Sequence, residues 1–171
     1  MNLSKSNNLA YKFKPIKIAE ETIKTIILAG MVTPLNQNPL PLRFIVVDDA
    51  KVLDAMPKFH RYIVPLLTAK QIIVVCADTR GLDLDKNLIL GCSASAKSML
   101  YEIEKQGLGG VLVGVYPKAD RMKEITALLH LPKNIKVYSI VCFGIIDVKK
   151  PYQKYFKEFV HLNRWNKEQA L

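Results

Sequence analysis

The chain has 171 residues, half of them apolar and 23% charged, with 25 Lys and Arg against 15 Asp and Glu for a net charge of +10. That balance excludes a disordered tail and suits one packed domain, while the positive excess favours anionic partners without choosing among phosphates, dinucleotides, nucleic acid and acidic lipid. The longest apolar runs, such as Ile72 to Ala77 and Val111 to Tyr116, fall far short of the roughly 20 residues of a membrane helix, and the opening MNLSKSNN lacks the apolar centre of a secretory signal, so a cytoplasmic protein with no membrane association is expected.

In chain order, residues 1–10 read as a flexible N-terminus and 11–171 as a single domain. Ile18, Thr22, Ile23, Ile26 and Ile27 share one helical face, predicting a helix from Ile18 to Leu28 with Gly30 as its stop signal. The proline-rich MVTPLNQNPLPL that follows predicts a loop, the first place to look for chemistry. Arg43 to Asp48 and Gln71 to Ala77 are continuous β-branched runs, predicting central strands buried on both faces. Between them, Ala50 to Leu67 reads as an irregular helical stretch broken by Pro57 and Pro65.

From Cys92 to Ile103, apolar residues recur at helical spacing behind the small residues Ser93 to Ala96, which predicts a closely packed central helix. Gly107 should end it. Val111 to Tyr116 predicts a third strand interrupted by Gly114. Met122 to Leu129 predicts a helix closed by Leu131-Pro132, and Lys136 to Gly144 a fourth strand. The tail from Asp147 is basic, aromatic and too apolar for a free arm, so it is expected to dock, with a partner subunit as the candidate surface.

Catalytic signatures are sparse. The chain carries no G-x-S-x-G elbow, H-E-x-x-H or Walker loop. His60, His130 and His161 lack ligand spacing, and Cys76, Cys92 and Cys142 show no C-x-x-C, so no metal site is expected and the cysteines read as buried thiols. Asp48-Asp49 reads as a helix cap, Asp83 and Asp85 as a solvated loop. Charge alone does not make a nucleic-acid site, and none is expected. The distinctive feature is GLGGVLVG, where glycines in a short strand point either to a close ligand or to a helix stop followed by a bulge. It is not a dinucleotide-binding fingerprint, because it follows a helix and enters a strand.

Several segments, in order, resemble the nitroreductase family of FMN-dependent oxidoreductases. TPLNQNPLPLRFIVV, from Thr33 to Val47, is similar to the family's A-P-S-x-x-N-x-Q-P-W-x-F-I-V-V, with Pro34, Asn38, Pro41 and Phe44 matching. IIVVCAD, CSASAKSML, GLGGVLVGVYP, LLHLP and the terminal VHLNRW resemble further family segments, so the likeness runs from about Tyr11 to Trp165.

The resemblance implies an α+β fold: an α/β/α sandwich around a mixed, mainly antiparallel sheet, interlocked as a homodimer with FMN at the subunit interface. It implies hydride transfer from NADH or NADPH through flavin N5 to a nitroaromatic, quinone or similar flat small-molecule electron acceptor, by a ping-pong mechanism. No side chain is implied as acid or base. The Gly114 backbone amide would lie near N5, with Gly110, Leu112 and Val113 lining the same ring face and Leu35, Asn36 and Asn38 contributing from the loop. The family's phosphate-gripping arginines near the N-terminus are replaced by NNLAYKF, Asn7 to Phe13, leaving Lys12, Lys14 and the distant Lys154 as substitutes that cannot reproduce an arginine fork. An alternative is a catalytically weak or inactive relative that keeps the fold as a binding or regulatory protein and holds FMN loosely, or another flat ligand.

Overall fold

The computed structural model describes residues 10–32, 41–56, 64–80, 85–149, 161 and 164–165, with side chains at all of these but 10–11, 85–87 and 149. The segments expected as a flexible N-terminus and a docking tail lie almost wholly outside the described residues. The elements are β1 (Ala10–Phe13), α1 (Glu20–Met31), β2 (Leu42–Val47), α2 (Ala50–Ala55), α3 (Val64–Thr68), β3 (Ile72–Asp78), α4 (Asp85–Lys105), β4 (Gly109–Gly114), α5 (Ala119–Leu128), β5 (Ile135–Gly144) and β6 (Ile146–Lys149).

Four strands form a sheet in the order β2-β3-β5-β4, and β1 pairs with β6 beside it. Every pairing among the described residues is antiparallel. Strand alternation divides the core in two. Ile73, Val75 and Ala77 of β3 face α1 and α4, joining Ile26, Cys92, Ala96 and Met99. Ile72, Val74 and Cys76 face the other way, against Phe13, Leu53, Leu66 and Ile125 from β1, α2, α3 and α5. The result is the helix–sheet–helix sandwich expected.

The run QIIVVCA is a central strand, and β3 is buried along its whole length. RFIVVD is not. The described sheet ends at β2, where Val46 is exposed. A β-branched run records a backbone that suits a pleat, and says less about how many neighbours flank it.

Helix α1 starts later and ends later than the apolar pattern predicts. Ile18 stays outside it because Gln71 holds its backbone from both sides: Ile18 N donates to Gln71 Oε1 at 2.6 Å, and Gln71 Nε2 donates to Ile18 O at 3.3 Å. Gly30 does not stop the helix but lies inside it, under α4. Asp49 caps α2 as expected, accepting from Val52 N at 3.0 Å. Asp85, expected in a loop, instead opens α4, which runs seven residues ahead of the predicted start.

Gly107 closes α4 at φ +74°, with Leu108 N bonded to Ile103 O and Gly107 N to Glu104 O, the two reversed bonds of a Schellman motif. Helix α5 ends the same way, with His130 in the left-handed position at φ 52° and Leu131 N bonded to Thr126 O. Strand β4 starts two residues before the predicted Val111 and stops at Gly114. There Val115 N and Tyr116 N both donate to Tyr138 O, at 3.1 and 3.0 Å, two residues against one in a β-bulge.

Candidate active site

The two glycines singled out in β4 have different causes. A Cβ on Gly110 would lie 2.7 Å from Leu100 Cδ2 and 3.2 Å from Ile103 Cγ2, so Gly110 is small because α4 packs against it. That packing accounts for the glycine without a ligand. Among the described residues a Cβ on Gly114 would meet nothing within 4 Å, leaving open space on the face that α4 covers further back.

The hydrogen-bond ladder decides where Gly114 points its backbone. Directly opposed residues of an antiparallel pair alternate between bonded and non-bonded. Val115 is bonded to Tyr138 O, and Gly114 is paired with Ser139, so Gly114–Ser139 is a non-bonded pair. The Gly114 N–H and C=O therefore point away from β5, outside the ladder. Arg121, in the first turn of α5, reaches back with Nη1 donating to Gly114 O at 3.4 Å.

Alternation also sorts the side chains. Leu112 pairs with Val141, lies on the Gly114 face and is 42% exposed. Val113, expected to line the same face, is buried on the opposite side among Val115, Val137 and Ile140. Only its backbone is available to a ligand at Gly114. On the Gly114 side the bulge brings Tyr138 onto the face of Ser139, and Tyr138 stacks on Tyr116 with ring centroids 5.2 Å apart. Ser139 is 7% exposed, and its Oγ is enclosed with no hydrogen-bond partner among the described residues.

Lys12 and Lys14 lie near the opposite end of β4. Phe13 between them packs on Gly144, the partner of Gly109, which is about 17 Å from Gly114 at strand rise. Lys12 Nζ is paired with Asp147 at 3.2 Å, and Lys14 is exposed. Leu35, Asn36, Asn38 and Lys154 lie outside the described residues.

Beyond the β3 end of the sheet, Asp78 collects a cluster that the sequence did not reveal. Arg80 Nη2 donates to Asp78 Oδ2 at 2.6 Å, and Arg80 Nε and Asn134 Nδ2 reach Oδ1 at 3.0 and 3.1 Å. The Arg80 guanidinium, then Asn134, hold this carboxyl well below the usual carboxylate range. Asp78 N also donates to Pro41 O at 2.7 Å, tying down the end of the proline-rich loop. The cluster is a staple between β2, β3 and β5.

The three cysteines are buried as expected. Burial pushes the Cys76 and Cys92 thiols up to about 12, and Cys142 is raised by the same cause, so none is a ready nucleophile. Among the described residues no cluster of His, Cys, Asp or Glu could hold a metal. No described helix is long and apolar enough to cross a membrane. A separate cleft of about 310 Å³ lies by α2 and α3, lined by Leu53, Leu66 and Ala69, with the Lys17–Asp48 ion pair at its rim.

No protein-family profile matches the chain. A protein of Archaeoglobus fulgidus with the provisional name NADH dehydrogenase/NAD(P)H nitroreductase is 33% identical over 154 residues, spanning 87% of this chain and 88% of the relative. The chain belongs to the nitroreductase family. A solved structure of the same provisional name from Parabacteroides distasonis superposes at a TM-score of 0.85 with 33% identity, covering 95% of this chain and 97% of the other. An FMN-dependent nitroreductase from Clostridium difficile shares the fold at a TM-score of 0.84 and 23% identity, covering 96% and 99%.

For a nitroreductase fold, the Gly114 end of β4 has the features a flat ring requires. The space that a Cβ would fill is open, an N–H points out of the ladder, and Leu112 offers apolar surface. Sequence reasoning named Gly114 and Leu112 but not Ser139, Tyr138 or Arg121, which the fold places beside them. Ser139 did leave a signal, as the one small hydroxyl inside the otherwise apolar YSIVCF.

Proposed function

We propose that this nitroreductase-family chain is an FMN-dependent oxidoreductase that oxidises NADH or NADPH and reduces a flat acceptor, such as a nitroaromatic or a quinone, by a ping-pong mechanism. The observation that carries the reading is the open face over Gly114 joined to its outward-pointing N–H. Bound FMN would supply reversible hydride chemistry, which none of the described side chains can provide. The protein's part is placement. The Gly114 N–H would donate to the polar edge of the ring, where added electron density makes a hydrogen bond stronger, and Leu112 would cover apolar ring surface. Arg121 beside Gly114 would favour anionic co-substrates such as dinucleotides.

A homodimer fits the same reading. Leu28, Met31 and Val32 at the end of α1, and Leu90 and Tyr101 on α4, are exposed large apolar side chains on adjacent helices that a second copy would cover. Lys14, Leu35, Asn36, Asn38 and Lys154 are proposed to complete the cofactor site, in a cytoplasmic enzyme.

The Lys12–Asp147 pair favours a second reading at the phosphate end. A lysine already neutralised by a carboxylate attracts phosphate weakly, so the chain would hold FMN loosely. One titration separates the two. Purified protein with a flavin absorption spectrum, tight uptake of one FMN per subunit and repeated NAD(P)H turnover supports the enzyme. Weak uptake without turnover supports the loose binder. Colourless protein that takes up no FMN and leaves NAD(P)H unoxidised sinks both.

A further inference from the structure

We infer that the hydroxyl of Ser139 is a ligand-directed hydrogen-bond donor that engages the polar edge of the flavin bound over Gly114. The inference rests on the flavin reading above and adds a residue that neither the glycine pattern nor the family resemblance contains.

A buried hydroxyl without a partner costs about 1–3 kcal/mol relative to one that is satisfied, so such groups are rare in a settled core. Ser139 is one of them, shut away from solvent in the middle of the central strand β5, with Val75 on one side and Gly114 on the other. Its neighbours along the strand, Tyr138 and Ile140, are buried, and an alanine or valine would fill the position without that cost. A serine here makes physical sense if something outside the apoprotein satisfies it.

The strand geometry says from which side. Paired residues project from the same face of a sheet, and in a non-bonded antiparallel pair they stand closest, with Cα atoms about 4.5 Å apart. Ser139 is the non-bonded partner of Gly114, the residue whose missing side chain leaves open space. In the proposed complex the hydroxyl would turn about χ1 from its enclosed position toward that space. The double irregularity at Tyr138, where β5 bulges against β3 and accepts two N–H groups from β4, lies immediately before Ser139. Bulges of this kind re-aim side chains beside ligand sites. The Gly114 N–H and the Ser139 O–H would then be two donors at one site, one from the backbone and one from the neighbouring strand.

Ser139→Ala tests this with readouts that a purely structural serine would not produce. Removing an orphan hydroxyl should leave the apoprotein Tm unchanged or raise it. FMN affinity, read by quenching of flavin fluorescence, should weaken about fivefold to tenfold. The midpoint potential of the bound flavin should become more negative, because a donor to the electron-rich reduced ring has been lost. Unchanged affinity, unchanged potential, or a parallel fall in apoprotein Tm overturns the assignment; an internal water satisfying the hydroxyl would give the first two. Wild-type protein that takes up no FMN removes the flavin reading itself, and that result is seen before any variant is made.

Discussion

Ser95 Oγ donates a 2.8 Å hydrogen bond to Gly30 O, a buried link between the middle of α4 and the last turn of α1. The last carbonyls of a helix lack intrahelical donors, and this one is served by a side chain from the facing helix. Such an approach is possible because residue 30 has no Cβ: one built there would lie 2.5 Å from Met99 Cε and 3.0 Å from Ser95 Oγ. Ser95→Ala should cost about 1 kcal/mol in denaturant unfolding. Gly30→Ala sets a helix-propensity gain of about 1 kcal/mol against overpacking of about 1–3 kcal/mol. Met99 is fully buried and has little room to yield, so a net loss is expected. That loss should shrink in a Met99→Ala background; additive effects would show that the two residues do not meet.

Asp78 should make the fold acid-sensitive. Its folded-state pKa is depressed by Arg80 and Asn134, so its contribution is complete above the unfolded value of about 3.9 and fades as pH falls from there toward the folded value. Asp78→Asn removes the titration. Wild-type Tm should exceed that of the variant at pH 6, with the gap narrowing between about pH 4 and pH 2. A gap that stays constant across that range would mean that the carboxylate charge is not what holds the cluster together.

Elements whose period matched their burial were legible in the sequence. β3 and β5 read correctly because strands covered on both faces are predominantly apolar, and α5 because its stripe is amphipathic. Gly30 was misread because a glycine at a helix end and a glycine under a crossing helix look alike in one dimension, and only the position of Met99 separates them. Gly110 and Gly114 posed the same difficulty, and the distance to α4 resolves it. The period-two alternation of β4 puts the Val113 side chain in the core and leaves only its backbone for the ring face that the resemblance implies. Ser139 could be seen as odd in its strand. Its pairing with Gly114, and so its proposed role, depends on a register that no local pattern states.

His130 occupies the left-handed region at φ 52°, where a side chain with a Cβ costs roughly 1–2 kcal/mol. His130→Gly should relieve that cost and return part of it as unfolded-chain entropy, for a net gain of up to about 1 kcal/mol. His130→Val should lose about 1–2 kcal/mol, since a β-branched residue fits this conformation poorly. Equal stabilities for the two variants would mean that the end of α5 is not held in the Schellman geometry.

Gly114 and Gly110 provide the sharpest contrast, because they share a strand and a face and differ only in what lies above them. A side chain at Gly114 enters open space, so Gly114→Val should leave apoprotein stability within about 0.5 kcal/mol or raise it, given the cost of glycine inside a strand. It keeps the backbone N–H but occupies the space proposed for the ring, and FMN affinity should fall at least about tenfold. Gly110→Ala should do the reverse, since its Cβ would press Leu100 and Ile103 at 2.7 and 3.2 Å and overpacking costs about 1–3 kcal/mol. Paired measurements of apoprotein Tm and FMN Kd on the two variants check both halves. Unaltered FMN binding by Gly114→Val would move the flavin site away from this end of β4, whatever the stability of Gly110→Ala.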